Sequence, residues 1–328
     1  MAAQSATIFG CAGPELGAGE AAFFADTQPV GFILFARNVQ RPAQVKRLTA
    51  DLRAAVGRDA PIFVDQEGGR VQRLRSPYWR EWMAPLDQVV QAGARAARAM
   101  YLRSFLIARE HLDCGIDGNC APLADIARAE THPFLRNRLY GESLETVVEI
   151  ARAVADGLRD GGVFPVLKHI PGHGLGRLDS HHDLPRASAS RAALEALDFA
   201  AFRALNDLKW GMTAHLVYEA IDPDLPATLS PAMIRVIRDE IGFQGVLMTD
   251  DLSMNALPGP VAERAARARA AGCDVALHCN GDLDEMQDVA RAAGRLDAAG
   301  AARVAAAMVR PAPSTLDIAT AEAEFDAL

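Results

Sequence analysis

The eighteen residues from Lys168 to Pro185, KHIPGHGLGRLDSHHDLP, hold one Lys, four His, two Asp and three Gly directly after the apolar run Phe164 to Leu167. A histidine with an ordinary pKa of about 6.5 both gives and takes protons near neutrality, and a carboxylate two residues before it can fix its tautomer and raise its basicity. Asp179 and His181 are so spaced and form a candidate acid/base dyad. Pro171, Gly172, Gly174 and Gly176 exclude regular helix, and the glycines are expected to leave the loop mobile enough to deliver the imidazole once substrate is seated. A second polar cluster, MTDDLSM, follows the apolar run Gly245 to Met248 with Asp250 and Asp251. A carboxylate held at a strand end can attack a carbon electrophile or stabilise an oxocarbenium ion. Side chains alternate along a strand, so one of the two points inward and the other holds a neighbouring helix or loop.

A third loop, VDQEGGRVQRL from Val64 to Leu74, puts Asp65, Arg70 and Arg73 around two glycines that allow close backbone approach. Carboxylate and guanidinium groups bind vicinal hydroxyls through charge-assisted hydrogen bonds, and Arg138 in RNRLYGE and Lys168 would complete a mixed-charge pocket. Neither glycine pattern matches a nucleotide-phosphate loop. His169 and His173 stand four apart with acids nearby, as a metal-dependent barrel hydrolase would need, but Pro171 and Gly172 break the helix that would put them on one face. No metal and no cofactor are expected.

Eight short apolar runs must position these loops: Thr7 to Cys11, Gly31 to Phe35, Pro61 to Val64, Ile116 to Cys120, Phe164 to Leu167, Trp210 to Ala214, Gly245 to Met248 and Asp274 to Leu277. Between most of them lie stretches of helical period, such as Ala43 to Val56, Ser143 to Leu158, Arg191 to Leu205 and Val261 to Ala271, and the Ala-rich stretch Ala290 to Ala307 reads as a late helix on the barrel. Alternation of this kind builds a parallel sheet. Most runs end at a polar residue, among them Arg37, Asp65, Asp125, Lys168, His215, Asp250 and His278. That suits a closed ring with its site at the C-terminal strand ends better than the single crevice of a doubly wound sheet. The expected fold is α/β, a single-domain (β/α)8 TIM-type barrel over residues 1–328.

Half of the 328 residues are hydrophobic and the net charge is −8, which argues against nucleic-acid or anionic-membrane partners and for a small-molecule substrate. The five cysteines lack metal-site spacing and read as buried or free thiols of a reducing compartment. Cys11 superficially resembles a lipoprotein cleavage site, but no basic segment or adequate apolar stretch precedes it, so a cytoplasmic location is expected without an obligate protein partner.

Taken in order, GFILFARN, DQEGGRVQR, GIDGNCAPLADI, RNRLYGE, KHIPGHG with LDSH, MTAHLVY, LPATLSP, GFQGVLMTDDLSM and AGCDVALHCN resemble the family 3 glycoside hydrolases, specifically the bacterial β-N-acetylhexosaminidases of cell-wall recycling, from about residue 8 to residue 280. The resemblance implies a barrel that removes non-reducing terminal N-acetylglucosamine, with retention, from 1,6-anhydro-muropeptides. It implies Asp250 as nucleophile, His181 as acid/base with Asp179 as its partner, and Asp65, Arg73, Arg138, Lys168 and His169 as the residues that hold the terminal sugar. A histidine here replaces the usual carboxylic acid/base. A neutral base repels an anionic acceptor less than a carboxylate does, so phosphorolysis is an alternative to hydrolysis, and a β-glucosidase-like family 3 activity is a second alternative. His182 beside His181, and TDDLSM in place of TDALNM, depart from the family's commoner pattern without removing a proposed catalytic group.

Overall fold

The computed structural model describes residues 4–176, 184–310 and 314–328. Each of the eight apolar runs contributes a strand. They are β1 (Ser5–Phe9), β2 (Pro29–Leu34), β3 (Ile62–Val64), β4 (Gly118–Asn119) and β5 (Phe164–Ile170), followed by β7 (Trp210–Thr213), β9 (Val246–Met248) and β10 (Ala276–His278). Two-residue segments β6 (Arg186–Ala187) and β8 (Val217–Tyr218) pair with each other outside this set. The eight strands run parallel in the order β10-β1-β2-β3-β4-β5-β7-β9. The ring closes between the last and first of that order: Met248 bridges Val275, the Thr249 N–H donates to the Val275 carbonyl at 3.0 Å, and the Asp274 N–H donates to the Leu247 carbonyl at 2.8 Å. Closure removes the unpaired edges of an open sheet and gives the expected (β/α)8 barrel.

The ring interior is a packed core. Phe63 and Trp210 meet edge to face with centroids 5.0 Å apart, beside Ile8, Val30, Val166 and Val246. The Phe63 ring lies across β4, where a Cβ on Gly118 would come within 2.2 Å of it, so only glycine fits. Outside the ring, amphipathic helices bury one stripe each. Leu144–Asp160 begins where the Ser143 hydroxyl accepts the Thr146 N–H at 3.2 Å, and it buries Val147, Ile150, Ala151, Val154, Ala155 and Leu158 at helical spacing. Burying each of its larger residues contributes about 1.5–3 kcal/mol.

Two expected helices are divided. The stretch 191–205 is two short helices, Arg191–Ala196 and Asp198–Arg203, that meet at Leu197. The stretch 290–307 belongs to Leu283–Ala293 and Ala298–Ala307, separated where Gly294 adopts φ 67° and Arg295 bridges Ser5. The second of these does not lie on the outer wall. Val304 and Ala307 join the interior core, and the Trp210 Nε1–H donates to the Ala307 carbonyl at 3.3 Å, so this helix plugs the N-terminal end of the ring. The C-terminal helix Ile318–Asp326 packs Phe325 on Trp82 and pairs Glu324 with Arg98. All five cysteines are free and buried, and among the described residues no helix is long and apolar enough to cross a membrane.

Candidate active site

A cavity of about 310 Å³ opens at the C-terminal strand ends. Asp65, Arg73, Arg138, Lys168, His169 and Asp250 all line it, although they come from segments up to 185 residues apart, between Asp65 and Asp250. Asp179 and His181, the expected acid/base pair, lie outside the described residues. Arg37 and His278 end strands without reaching the cavity: Arg37 donates from Nε to the Cys11 carbonyl at 3.0 Å, and His278 turns outward to Glu285 at 3.1 Å. Arg70 stands at the rim, its guanidinium 3.1 Å from the centre of the Phe134 ring.

The cations that line the cavity are held by two carboxylates. Lys168 Nζ lies 2.9 Å from Asp65 Oδ1 and 2.7 Å from Glu67 Oε1. Arg138 grips Glu67 with two parallel bonds, Nε to Oε2 at 2.8 Å and Nη2 to Oε1 at 2.7 Å, and Arg73 Nη2 reaches Asp65 Oδ2 at 3.3 Å. Burial alone would raise the pKa of Glu67, but Arg138 and Lys168 outweigh it and bring it down to about 2. Burial likewise opposes the charge of Asp65, and Lys168 and Arg73 overcome it, holding its pKa well below the usual carboxylate range. Burial would strip the Lys168 proton, yet Asp65 and Glu67 raise its pKa well above that of a free lysine. Lys168 and His169 both face the cavity although they are adjacent in β5, and the pairing of β5 with β7 shifts register between Leu167 and Ile170 at this place.

Asp250 follows β9 half-buried, and its Oδ1 accepts the Asp251 N–H at 2.8 Å. Burial pushes its pKa up, but His215, His169, the Asp251 N–H and Lys168 together bring it below the usual carboxylate value. The Asp251 N–H and the Lys168 ammonium keep their polarity across the neutral range, whereas burial keeps His215 itself neutral. Its Nε2–H donates to the Asp251 carbonyl at 3.0 Å and its Nδ1 accepts from Thr228 Oγ1 at 2.8 Å, so it fixes the backbone beside Asp250. The Asp251 carboxylate is spent on structure, accepting from Ser253 N at 3.0 Å, Ser253 Oγ at 2.6 Å and Cys279 N at 3.2 Å. Both acids thus line the cavity, beyond the end of the strand, and they differ in that the Asp251 carboxylate is tied to Ser253 and Cys279.

The root of the β5 loop is fixed. Asp125 accepts from His169 Nδ1 at 2.8 Å and from the His173 N–H at 2.5 Å. Tyr218 Oη donates to the Gly172 carbonyl at 2.6 Å, Thr131 Oγ1 to the Gly174 carbonyl at 2.6 Å, and Arg128 pairs with the buried Asp198 at 3.0 Å. Gly174 packs so tightly on the Ile126 carbonyl that a Cβ would lie 1.8 Å from it. Up to Gly176 the glycines therefore serve close approach rather than the mobility expected of them. The His169 to His173 segment is strand then turn, so the two rings do not share a helix face. Among the described residues no three His, Cys, Asp or Glu side chains are grouped to hold a metal ion.

Residues 16–311 match the family described as glycosyl hydrolase family 3 N terminal domain. The chain belongs to glycosyl hydrolase family 3. It is a glycoside hydrolase, and the resemblance drawn from its motifs is borne out. A β-hexosaminidase of Alkalilimnicola ehrlichii is 41% identical over 281 residues, 83% of this chain and 80% of that protein. The crystal structure of native NagZ from Neisseria gonorrhoeae superposes with a TM-score of 0.85 at 31% identity, covering 99% of this chain and 96% of that one. A family 3 β-N-acetylglucosaminidase from a Paenibacillus species gives a TM-score of 0.86 at 29% identity, covering 97% of this chain and 66% of the other. In this family 3 chain, Glu67, Asp125, His173 and His215 join the site without having been given roles from the sequence. Each falls in a quoted motif or at a strand end, and that placement was the available signal.

Proposed function

We propose that this family 3 hydrolase is a retaining exo-β-N-acetylhexosaminidase that releases non-reducing terminal N-acetylglucosamine from 1,6-anhydro-muropeptides during cytoplasmic cell-wall recycling. The observation that carries the reading is that the Asp250 carboxylate opens into one cavity with Asp65, Arg73, Arg138, Lys168 and His169. A single sugar bound by those five groups would set its anomeric carbon against a carboxylate kept ionised by its surroundings. Asp250 attacks that carbon and forms a glycosyl ester while His181, partnered by Asp179, gives its proton to the departing oxygen. His181 then takes a proton from water, whose oxygen displaces Asp250 and restores the original anomeric configuration. The β-hexosaminidase relative and the family 3 β-N-acetylglucosaminidase structure support the choice of N-acetylglucosamine.

The test is the initial rate of aryl release from an aryl β-N-acetylglucosaminide, with chelator present, for the wild type and Asp250→Ala. Wild-type turnover and a loss of at least ~10³-fold in the variant, about 4 kcal/mol of barrier, is the expected result. Equal rates, or sensitivity to the chelator, would reject Asp250 or the metal-free mechanism.

A further inference from the structure

We propose that Asp125 is a positioning residue for sugar binding, fixing His169 in the tautomer that carries its proton on Nδ1 so that Nε2 offers a lone pair to one sugar hydroxyl. The proposal rests on the reading that His169 touches the terminal sugar. Asp125 is fully buried, and its carboxylate faces three N–H groups: the His169 ring at 2.8 Å, the His169 backbone at 3.3 Å and the His173 backbone at 2.5 Å. A carboxylate surrounded by donors has no proton to offer, so the ring nitrogen it meets must be the donor. In the neutral ring the other nitrogen is then an acceptor. Nε2 bonds to no described residue, and the ring lines the cavity.

This gives the pocket a recognition element of its own kind. Lys168, Arg73 and Arg138 are donors only, and they suit any oxygen or fluorine on the sugar. His169 Nε2 requires a hydroxyl that donates. At the sugar position opposite His169, fluorine should therefore serve no better than hydrogen, whereas at positions facing the cations fluorine should keep part of the affinity. Asparagine cannot replace Asp125, because one amide oxygen would face three donors while its NH2 group met an N–H.

Long-range proton–nitrogen spectra of the histidine rings, with the His169 signals identified by their loss in His169→Gln, read the tautomer directly. The expected pattern is a protonated Nδ1 and an unprotonated Nε2. Asp125→Asn should lower kcat/KM for the aryl β-N-acetylglucosaminide about 10- to 100-fold, chiefly through KM, and should add little in the His169→Gln background. A proton on Nε2 in the wild type, or losses that multiply in the double variant, would overturn the proposal, and the spectrum decides even if Asp125→Asn does not fold. Because the spectrum needs no turnover, a wrong tautomer counts against Asp125, whereas absent wild-type turnover counts against the hexosaminidase reading.

Discussion

Glu67 holds Lys168 and Arg138 at once from a site with almost no contact with water. Glu67→Gln would leave one oxygen to serve two buried cations, and breaking a buried pair from one side costs about 3–5 kcal/mol. Urea denaturation should register that loss, with a raised KM in whatever folds. Asp198 behaves oppositely: burial outweighs Arg128 and raises its pKa from 3.8 to about 6. A carboxyl that holds its proton more tightly in the fold contributes stability below the unfolded value of about 4, and that contribution is lost as pH rises through about 6. The stability of the wild type relative to Asp198→Asn should fall by up to about 3 kcal/mol between pH 4 and pH 7, measured by denaturant titration. Asp65, Lys168 and Asp250 were legible because polar residues at the ends of apolar runs gather at one rim of a barrel, whereas Arg73, Arg138 and His169 were legible through the motifs that carry the family resemblance. Glu67 was not, although it sits two residues from Asp65. Its partners depend on the register of β3, β4 and β5, which spans about a hundred residues and is set by packing.

Among the elements, the strands were readable to within a few residues because each is a short apolar run that cannot be buried any other way. The helices around 191–205 and 290–307 were less so. Alanine and leucine favour helix on either side of Leu197 and Gly294, and the second run breaks at the positive φ of Gly294 and the bridge from Arg295 to Ser5. The β5 loop root reverses a reading from composition: glycine is permissive in sequence, yet here Gly174 is wedged against Ile126 and tied by Thr131. Gly174→Ala would force the loop away from the barrel wall while leaving the strands untouched. We expect a drop of at least about tenfold in kcat, with a loss of stability within about 1–3 kcal/mol, the range for overpacking a tight site. Parallel rate and melting measurements distinguish that from general unfolding.

For the whole molecule, charge and barrel architecture pointed to a small-molecule enzyme before any contact was known, and membership of family 3 agrees. What no sequence pattern announced is the plug. The helix Ala298–Ala307 closes the N-terminal end of the ring beneath Trp210, and at the opposite rim Ile33, Met212, Leu277 and Cys279 of the packed interior form the floor of the cavity. A floored well of this kind suits the proposed action on one end of a substrate. On the proposed mechanism the leaving group departs first, and the freed monosaccharide, sitting deepest, leaves before the next chain end can enter. N-acetylglucosamine should therefore inhibit competitively against the aryl glycoside, raising KM and leaving kcat unchanged in initial-rate measurements. Occupancy of the well by product, rather than bond breaking, would then set how fast the enzyme works when its own product accumulates.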